Sequence, residues 1–265
     1  AENGQIELSM TPYAHPIVPL LLDLDTAREA MPETGMPRDG AYPGGRERVE
    51  WHIREGLESF EQYFGHKPTG CWPSEGGISA ATLEVLEEHG FIWAASGESV
   101  FRHSMNHDDN SALADTSLYQ AFTLEKGKLS CFFRDDGLSD LIGFTYSDWH
   151  ADDAVGNLVQ HLENIAASTQ AQENPLVSII LDGENAWEHF PENGYYFLNT
   201  LYKKLAEHPG LKMTTYTEYL RENPQRQAVR TLVSGSWVYG TFSTWIGDTD
   251  KNRGWEMLID AKRAF

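Results

Sequence analysis

Basic residues and cysteines are scarce in this sequence, and it contains no long apolar run. Twenty Lys and Arg stand against 40 Asp and Glu among 265 residues, so the formal net charge at pH 7 is −20. A surface of that sign repels nucleic-acid phosphates and anionic lipid headgroups, which argues against nucleic acid or a membrane as a partner. No stretch approaches the roughly 20 apolar residues that span a bilayer. A neutral ligand such as a sugar remains compatible with this composition.

The two cysteines, Cys71 and Cys131, are too few for a disulfide framework. Each lies in an apolar, strand-like stretch, so we predict that both are buried free thiols. The first ten residues lack the basic and apolar segments of a signal peptide. The two free thiols favour a cytoplasmic location.

Short apolar runs alternate with amphipathic helical stretches through most of the chain. Apolar residues that recur at helical spacing predict helices over 46–64, 79–89, 153–167, 195–206 and 253–265. Strands are predicted over 5–10, 70–72, 91–95, 129–134, 176–181 and 212–214. The polar stretch 102–118 is predicted as a loop. Such alternation indicates a parallel sheet with helices outside it.

The six predicted strands are about one or two fewer than a closed barrel needs. We therefore expect an α/β barrel that is incomplete at its N-terminal end. Residues 1–224 are assigned to this barrel. Residues 225–265, where the sequence becomes Trp-rich, are assigned to a further segment that ends in the start of a helical region.

Acidic residues lie at the ends of four predicted strands, and in parallel α/β barrels these ends converge on one mouth. One such carboxylate is commonly a helix N-cap, but four strand ends together predict a functional site. Glu75 and Asp182 are the strongest candidates because each stands among Trp and Gly residues, in CWPSEGG and LDGENAWEH. The other acidic residues of this group are Glu7, Asp135, Asp136 and Glu184.

Converging carboxylates without a basic cluster suit the cleavage of glycosidic bonds, in which one carboxyl group protonates the leaving oxygen and the other attacks or stabilises the anomeric carbon. Aromatic side chains near these motifs offer faces on which sugar rings stack, although core packing explains each of them singly as well. They are Tyr13, Trp72, Trp149, Trp187, Trp237 and Trp245. His15, in PYAHP, follows the Glu7 strand and is placed either to bind a sugar hydroxyl or to support the fold.

These motifs resemble conserved regions of glycoside hydrolase family 57, in particular its amylopullulanase-like branch. Residues 4–8 with 11–21 are similar to the second region of the family, 70–79 to the third, 181–189 to the fourth and 235–255 to the fifth. The stretch FFRDDGLSDLIGFTY (132–146) also fits that branch. The His-Gln-Pro motif of the first region has no counterpart, in agreement with the missing strand.

The resemblance implies a (β/α)7 barrel followed by a helical region, and a retaining hydrolase or transglycosylase that acts on α-linked glucans. It implies no metal and no cofactor, and an oligosaccharide or polysaccharide as the partner. It places the catalytic nucleophile at Glu75 and the acid/base at Asp182. The predicted substrate-binding residues are Glu7, His15, Trp72, Asp135, Glu184, Trp187, Trp237 and Trp245.

Two alternatives remain open at this point. His103 and His107 have the H-x-x-x-H spacing of a helical metal pair, and Asp135 with Asp136 could complete a site. This favours a metal-dependent carbohydrate deacetylase, an enzyme class built on a related barrel, although a solvated loop explains the two histidines more simply. The other alternative is a catalytically silent carbohydrate-binding fragment.

Overall fold

In a computed structural model, the chain forms an α/β fold around a five-stranded sheet in the order β1-β2-β4-β3-β5. The structure describes residues 4–113, 118–183 and 185–265. Strands β1, β2 and β4 are parallel to one another, β3 runs antiparallel to β4, and β5 is parallel to β3. The strand bounds are Gly70–Cys71, Trp93–Ser96, Phe122–Leu124, Ser130–Phe133 and Gln227–Val229 for β1 to β5.

Eleven helices among the described residues surround this sheet. Helices α1 to α6 span Val18–Leu22, Ala27–Ala30, Gly45–Phe64, Ala80–Glu88, Glu98–Met105 and Asp136–Asp140. Helices α7 to α11 span Ala151–Ser168, Asn185–Glu188, Tyr195–Ala206, Tyr216–Glu222 and Thr249–Ala264. A π-helical turn, Leu141–Thr145, directly follows α6. No helix in the described part of the chain has the length and apolar character needed to cross a bilayer.

Two extended segments lie along the sheet without forming regular strands. Met10 makes an isolated parallel bridge to Cys71, so residues 5–10 continue the sheet beyond β1. On the other side, the backbone N–H of Asp135 donates to the carbonyl oxygen of Ser178 at 2.8 Å, which places the segment 176–181 at the C-terminal end of β4. The segment 5–10 therefore lies beside β1, and the segment 176–181 lies just beyond the end of β4.

Glu7 connects the segment 5–10 to the beginning of α10. Its Oε2 accepts a hydrogen bond from the backbone N–H of Thr217 at 3.0 Å. Its Oε1 accepts from Trp93 Nε1 at 2.8 Å and from Thr69 Oγ1 at 2.7 Å. Thr217 lies in α10, so its bond to Glu7 joins two parts of the chain that are 210 residues apart.

The prediction of regular strands was wrong at three of the six places, since 5–10 forms only the isolated bridge at Met10 and neither 176–181 nor 212–214 forms a strand. The segment 176–181 is extended but lacks a backbone ladder, since the N–H of Ile180 donates to the side chain of Ser139 at 3.3 Å instead of to a neighbouring strand. The segment 212–214 is likewise irregular. The short strands β3 and β5 were not predicted, because three residues carry no readable alternation.

The predicted loop 102–118 begins inside α5, which was missed. Val100, Phe101 and Met105 on this helix are buried in the main core. A 3₁₀ turn, Asp108–Leu113, follows the helix. Apolar anchors that precede position 102 thus extend helical structure into a stretch whose own composition is polar.

The interior is divided into several apolar clusters. The main core under the sheet contains Cys71 and Cys131, both buried and unbridged as predicted. Burial raises the pKa of Cys71, and it raises the pKa of Cys131 to about 12, so both thiols stay protonated at neutral pH. A second core lies between α7, α9 and the π-helical turn. A third joins α1 and α2 to the C-terminal segment through residues such as Leu24, Phe242 and Ile259.

Candidate active site

Glu75 lies just beyond the C-terminal end of β1, in the short turn Ser74–Gly76. Its φ of 58° is in the left-handed region, which few residues other than glycine adopt. Both carboxylate oxygens are bonded: Oε1 accepts from His15 Nε2 at 2.9 Å and Oε2 from Trp237 Nε1 at 3.0 Å. Since a carboxylate can only accept, His15 carries its proton on Nε2. The side chain of Glu75 is still 31% exposed, which leaves it accessible to a ligand.

A strained turn presents His15 to Glu75. Ala14 and His15 are consecutive left-handed residues with φ of 58° and 55°. The turn is held on α3 by two hydrogen bonds, from the backbone N–H of Tyr13 to the carbonyl oxygen of His52 at 3.1 Å and from His52 Nδ1 to the carbonyl oxygen of Tyr13 at 2.7 Å. Left-handed backbone at non-glycine positions is common at functional sites, where the surrounding structure offsets its cost.

Trp237 is fixed against the Glu75 turn by backbone and ring contacts. Its N–H donates to the carbonyl oxygen of Glu75 at 3.1 Å, and its ring meets the ring of Trp72 edge-on at 5.1 Å between centroids. A methyl group on Gly97 would lie 2.7 Å from the Cα of Trp237, and one on Gly76 would lie 2.8 Å from the Trp72 ring. Both glycines are therefore needed for the approach of the two indoles.

Asp182 follows the extended segment 176–181 and is exposed. The segment is tied to the end of β4 by Arg134, whose Nη1 donates to the carbonyl oxygen of Ile180 at 3.2 Å. The guanidinium of Arg134 also lies 5.0 Å from the centroid of the Trp237 ring. Arg134 therefore contacts both the indole that binds Glu75 and the segment that leads to Asp182.

Of the predicted substrate-binding residues, His15, Trp72 and Trp237 gather around Glu75. Glu184 lies outside the described residues. Trp187 packs in the second core against Phe190 and Phe197, at centroid distances of 5.5 and 6.2 Å. These ring contacts are with the core and not with Glu75.

The carboxylates of Glu7 and Asp135 are engaged inside the fold. Asp135 is buried, caps α6 by accepting from the N–H of Leu138 at 2.8 Å, and accepts from Tyr119 Oη at 2.8 Å. Burial by itself raises the pKa of Glu7, but its hydrogen bonds from Thr217, Trp93 and Thr69 outweigh this and hold the pKa below its ordinary value. These contacts are those of carboxylates that support the fold. A role of Glu7 or Asp135 in substrate binding stays a prediction.

An open cavity of about 460 Å³ lies next to the His15 turn. Ala14 and Pro16, on either side of His15, form part of its wall. The opposite wall is built by α11 and the segment before it, which contribute Trp245 and Trp255, while Tyr42 adds a third aromatic side chain. Trp245 is half-buried, and its carbonyl oxygen accepts from Trp255 Nε1 at 3.0 Å.

The two histidines of the possible metal pair make separate contacts. His103, on α5, donates from Nδ1 to the carbonyl oxygen of Gly240 at 3.2 Å. His107 accepts from the backbone N–H of Asp109 through Nδ1 at 3.3 Å. Within the described residues, no three His, Cys, Asp or Glu side chains are grouped so as to hold a metal ion.

The sequence analysis did not identify two residues of this region. Arg134 is buried directly after β4, and an arginine that ends an apolar strand is the signal that could have identified it. Tyr239, at the turn after Trp237, has a φ of 59° and is 79% exposed. A tyrosine held in the open by a left-handed backbone has no packing role, but the sequence gives no sign of its conformation.

A carboxylate oriented by imidazole and indole N–H groups, beside further indoles and beyond the C-terminal ends of parallel strands, is typical of α/β-barrel enzymes that act on carbohydrates. The sequence comparison agrees with this class. The chain belongs to glycosyl hydrolase family 57, whose sequence profile matches residues 1–232. No curated protein matches the chain in sequence.

Several solved structures share this fold. A family 57 branching enzyme from Pyrococcus horikoshii has a TM-score of 0.71 at 19% identity, and the match covers 96% of this chain and 52% of that one. An α-amylase from Thermotoga maritima has a TM-score of 0.63 at 16% identity, and the match covers 89% of this chain and 52% of that one. A 4-α-glucanotransferase from Thermococcus litoralis has a TM-score of 0.60 at 17% identity, and the match covers 89% of this chain and 31% of that one. The chain thus spans about half the length of the first two proteins and less than a third of the last. These similarities confirm the expected (β/α)7-type barrel fold.

Proposed function

We propose that the protein is a retaining glycoside hydrolase or transglycosylase acting on α-linked glucans. Membership of family 57 supports glycosidic chemistry. The three similar structures are a branching enzyme, an α-amylase and a 4-α-glucanotransferase, and these names support an α-glucan as the substrate. The observation that carries the proposal is the Glu75 carboxylate, which is held at both oxygens and remains open to solvent.

In the proposed first step, a Glu75 oxygen attacks the anomeric carbon of the bound glucan. The bond from that carbon to the glycosidic oxygen breaks, and the Asp182 carboxylic acid donates its proton to the departing oxygen. The product is a glycosyl ester on Glu75 together with a shortened glucan. The N–H groups of His15 and Trp237 donate to the Glu75 carboxylate and thereby hold it in position for the attack.

In the second step, Asp182 takes a proton from water or from a sugar hydroxyl group, and the resulting nucleophile displaces Glu75 from the anomeric carbon. Two displacements on one carbon restore its α configuration. Water as the acceptor gives hydrolysis, and a glucan hydroxyl gives transfer. The retaining mechanism predicts that the two carboxyl groups lie about 5–5.5 Å apart, against about 6.5–9.5 Å for inversion.

Further glucose units would occupy the aromatic surfaces near Glu75. Trp72 and Trp237 border the reacting carboxylate, and the cavity beside His15 offers Trp245, Trp255 and Tyr42. Sugar rings present apolar C–H faces to such side chains, while their hydroxyl groups stay hydrated at the rim. A glucan of several units therefore fits this surface better than a short oligosaccharide.

Two carboxylate substitutions test the proposal in the intact protein. Glu75→Gln should abolish release of reducing sugar from a soluble α-glucan. Asp182→Asn should slow turnover by about 100- to 10,000-fold, and by less for substrates whose leaving groups need no protonation. NMR of the first product formed by the unsubstituted protein should show the α-anomer.

Glu163→Gln is the matched control, because Glu163 is a partly exposed carboxylate on α7 that pairs with His208. It should leave turnover unchanged. Full activity in Glu75→Gln would remove the assigned nucleophile, and an initial β-anomer would replace retention by inversion. Glucan binding without any turnover by the unsubstituted protein would favour a catalytically silent carbohydrate-binding role.

Membership of the amylopullulanase-like branch remains a prediction. The name of that branch implies activity on pullulan as well as on amylose. Digestion of pullulan and of linear amylose by the same preparation separates these activities, because pullulan contains α-1,6 bonds and amylose does not. Activity on amylose alone would place the protein outside the predicted branch.

A further inference from the structure

Arg134 follows β4 directly, and its side chain is only 9% exposed. A buried guanidinium needs partners for its charge and for its donors. Arg134 Nε donates to Asp136 Oδ1 at 2.6 Å, and Nη2 donates to Asp140 Oδ1 at 2.5 Å. These two carboxylates neutralise the cation and fix the plane of the guanidinium, so its remaining contacts have a defined geometry.

One remaining contact is made with the segment that leads to Asp182. Arg134 Nη1 donates to the carbonyl oxygen of Ile180, two residues before Asp182. The segment 176–181 has no backbone ladder, so single hydrogen bonds and the packing of its apolar side chains hold it. Besides the bond from Arg134, the N–H of Leu176 donates to the carbonyl oxygen of Tyr119 at 2.9 Å, the N–H of Asp135 to the carbonyl oxygen of Ser178, and the N–H of Ile180 to the side chain of Ser139.

The other remaining contact reaches Glu75 through Trp237. The guanidinium carbon of Arg134 lies 5.0 Å from the centroid of the Trp237 ring, within the range of a cation–π contact. The Nε1–H of this indole donates to Glu75 Oε2. A shift of the Arg134 plane would therefore move the donor that orients the Glu75 carboxylate.

We propose that Arg134 is a positioning residue that holds the Asp182 segment and the Trp237–Glu75 pair at a fixed distance from each other. The inference rests on the proposed roles of Glu75 and Asp182. Arg134 acts through the carbonyl group of Ile180 and the indole of Trp237, and touches neither catalytic carboxylate in these contacts. A lysine retains the charge at this place but lacks the planar fork that makes four contacts together.

Arg134→Lys in the intact protein is the primary test. A displacement of about 1 Å between reacting groups costs on the order of 100-fold in rate. We therefore expect kcat on a soluble α-glucan to fall by about that factor, with KM changed by less than about threefold. The loss should be larger for aryl α-glucosides with poor leaving groups, because Asp182 must protonate these in the first step.

Arg38→Lys is the matched control. Arg38 also forms a paired contact with a carboxylate, from Nε to Glu256 Oε1 at 3.0 Å and from Nη2 to Oε2 at 2.7 Å, and this contact ties α11 to the segment before α3. Its replacement should lower Tm while kcat stays within about twofold of the original, since a purely structural contact does not alter the chemical step. Arg134→Lys should differ from it in kcat and in leaving-group dependence at comparable Tm.

Asp140→Asn keeps the test decisive if Arg134→Lys fails to fold. It removes the charge of one partner of Arg134 without changing the shape of the site. It should lower kcat by a smaller factor and show the same dependence on the leaving group. Unchanged kcat in either soluble variant, or losses equal for all leaving groups, would overturn the positioning role.

The two proposals fail separately. An unsubstituted protein without glucan turnover, or an active Glu75→Gln variant, would disprove the proposed function. Loss of activity in Glu75→Gln and Asp182→Asn together with normal kinetics in Arg134→Lys would leave that function standing and remove only the role of Arg134.

Discussion

At the scale of single residues, Glu7 and Glu75 show how one chemical group takes two roles. Glu75 has two N–H donors and an open side, whereas Glu7 accepts hydrogen bonds from Thr217, Trp93 and Thr69. Both carboxylates lie near strand ends, so the sequence predicted a site role for each. Only their tertiary partners, contributed by distant parts of the chain, distinguish them.

Glu7→Gln should destabilise the protein in a way that depends on pH. The lowered pKa of Glu7 means that the folded state favours the charged form. Its stabilisation is complete above the ordinary carboxyl pKa of 4.5 and disappears as the pH falls through the folded-state value. We expect a loss of about 1–3 kcal/mol at pH 7, measured by urea unfolding, and a smaller difference from the unsubstituted protein below pH 4.5.

Glu125→Gln provides the control for that measurement. Glu125 pairs with Arg230 at 3.0 Å, and both side chains are mostly exposed. Such a pair contributes little, so its loss should change stability by less than about 1 kcal/mol at either pH. A Glu7→Gln variant as stable as this control would contradict the assigned hydrogen-bond network.

At the scale of elements, the five predicted helices follow their apolar spacing and caps closely. Helix α9 spans Tyr195–Ala206 as predicted, and Ser79 caps α4 by accepting from the N–H of Thr82 at 3.1 Å. Local sequence determines such features, because the contacting residues lie within one or two helical turns. The candidate site is different: Glu75 meets His15 across 60 residues and Trp237 across 162. The motifs marked these residues, but their mutual geometry depends on the tertiary fold.

The junction between β2 and α5 makes a testable claim about this geometry. Gly97 has an extended backbone that any residue can adopt, but its missing side chain leaves room for Trp237. Gly97→Ala should therefore push the indole away from Glu75. We expect a cost of about 1–3 kcal/mol in stability and a clear drop in kcat, measured by thermal unfolding and glucan hydrolysis.

Gly156→Ala is a comparable substitution inside α7, where an added methyl group would meet only Lys204 Nζ at 3.7 Å. It should raise stability by about 0.5–1 kcal/mol, since alanine favours a helix interior over glycine. Turnover should not change. If Gly97→Ala behaved in the same way, the tight packing of Trp237 would not matter for the site.

At the scale of the whole molecule, the C-terminal segment is integrated with the beginning of the chain. Strand β5 pairs with β3 in the central sheet. Phe242 and Ile259 share an apolar cluster with Leu24, and Arg38 pairs with Glu256. This ion pair holds the pKa of Glu256 at about 2. The cavity beside His15 is lined by residues from both parts of the chain, among them Ile17 and Trp245.

Trp245→Ala tests whether that cavity binds glucan. Loss of one stacking surface should weaken binding by about 0.5–1.5 kcal/mol, a rise in KM of up to about tenfold for long substrates. Substrates too short to reach the cavity should show no change. Trp245→Phe, which keeps an aromatic face, should recover most of the affinity, and an equal effect on short and long substrates would exclude a role for the cavity.

The hydrogen bonds between Glu7 and Thr217 also bear on how the chain matures on the ribosome. Their partners are 210 residues apart, so translation at ordinary speed separates their appearance by on the order of 10–40 s. Throughout that interval Glu7 can reach Thr69 and Trp93 but lacks the bonds from Thr217. This part of the fold is therefore completed only after residue 217 has emerged, and a chaperone that shields early apolar segments would have its greatest effect on yield during this delay.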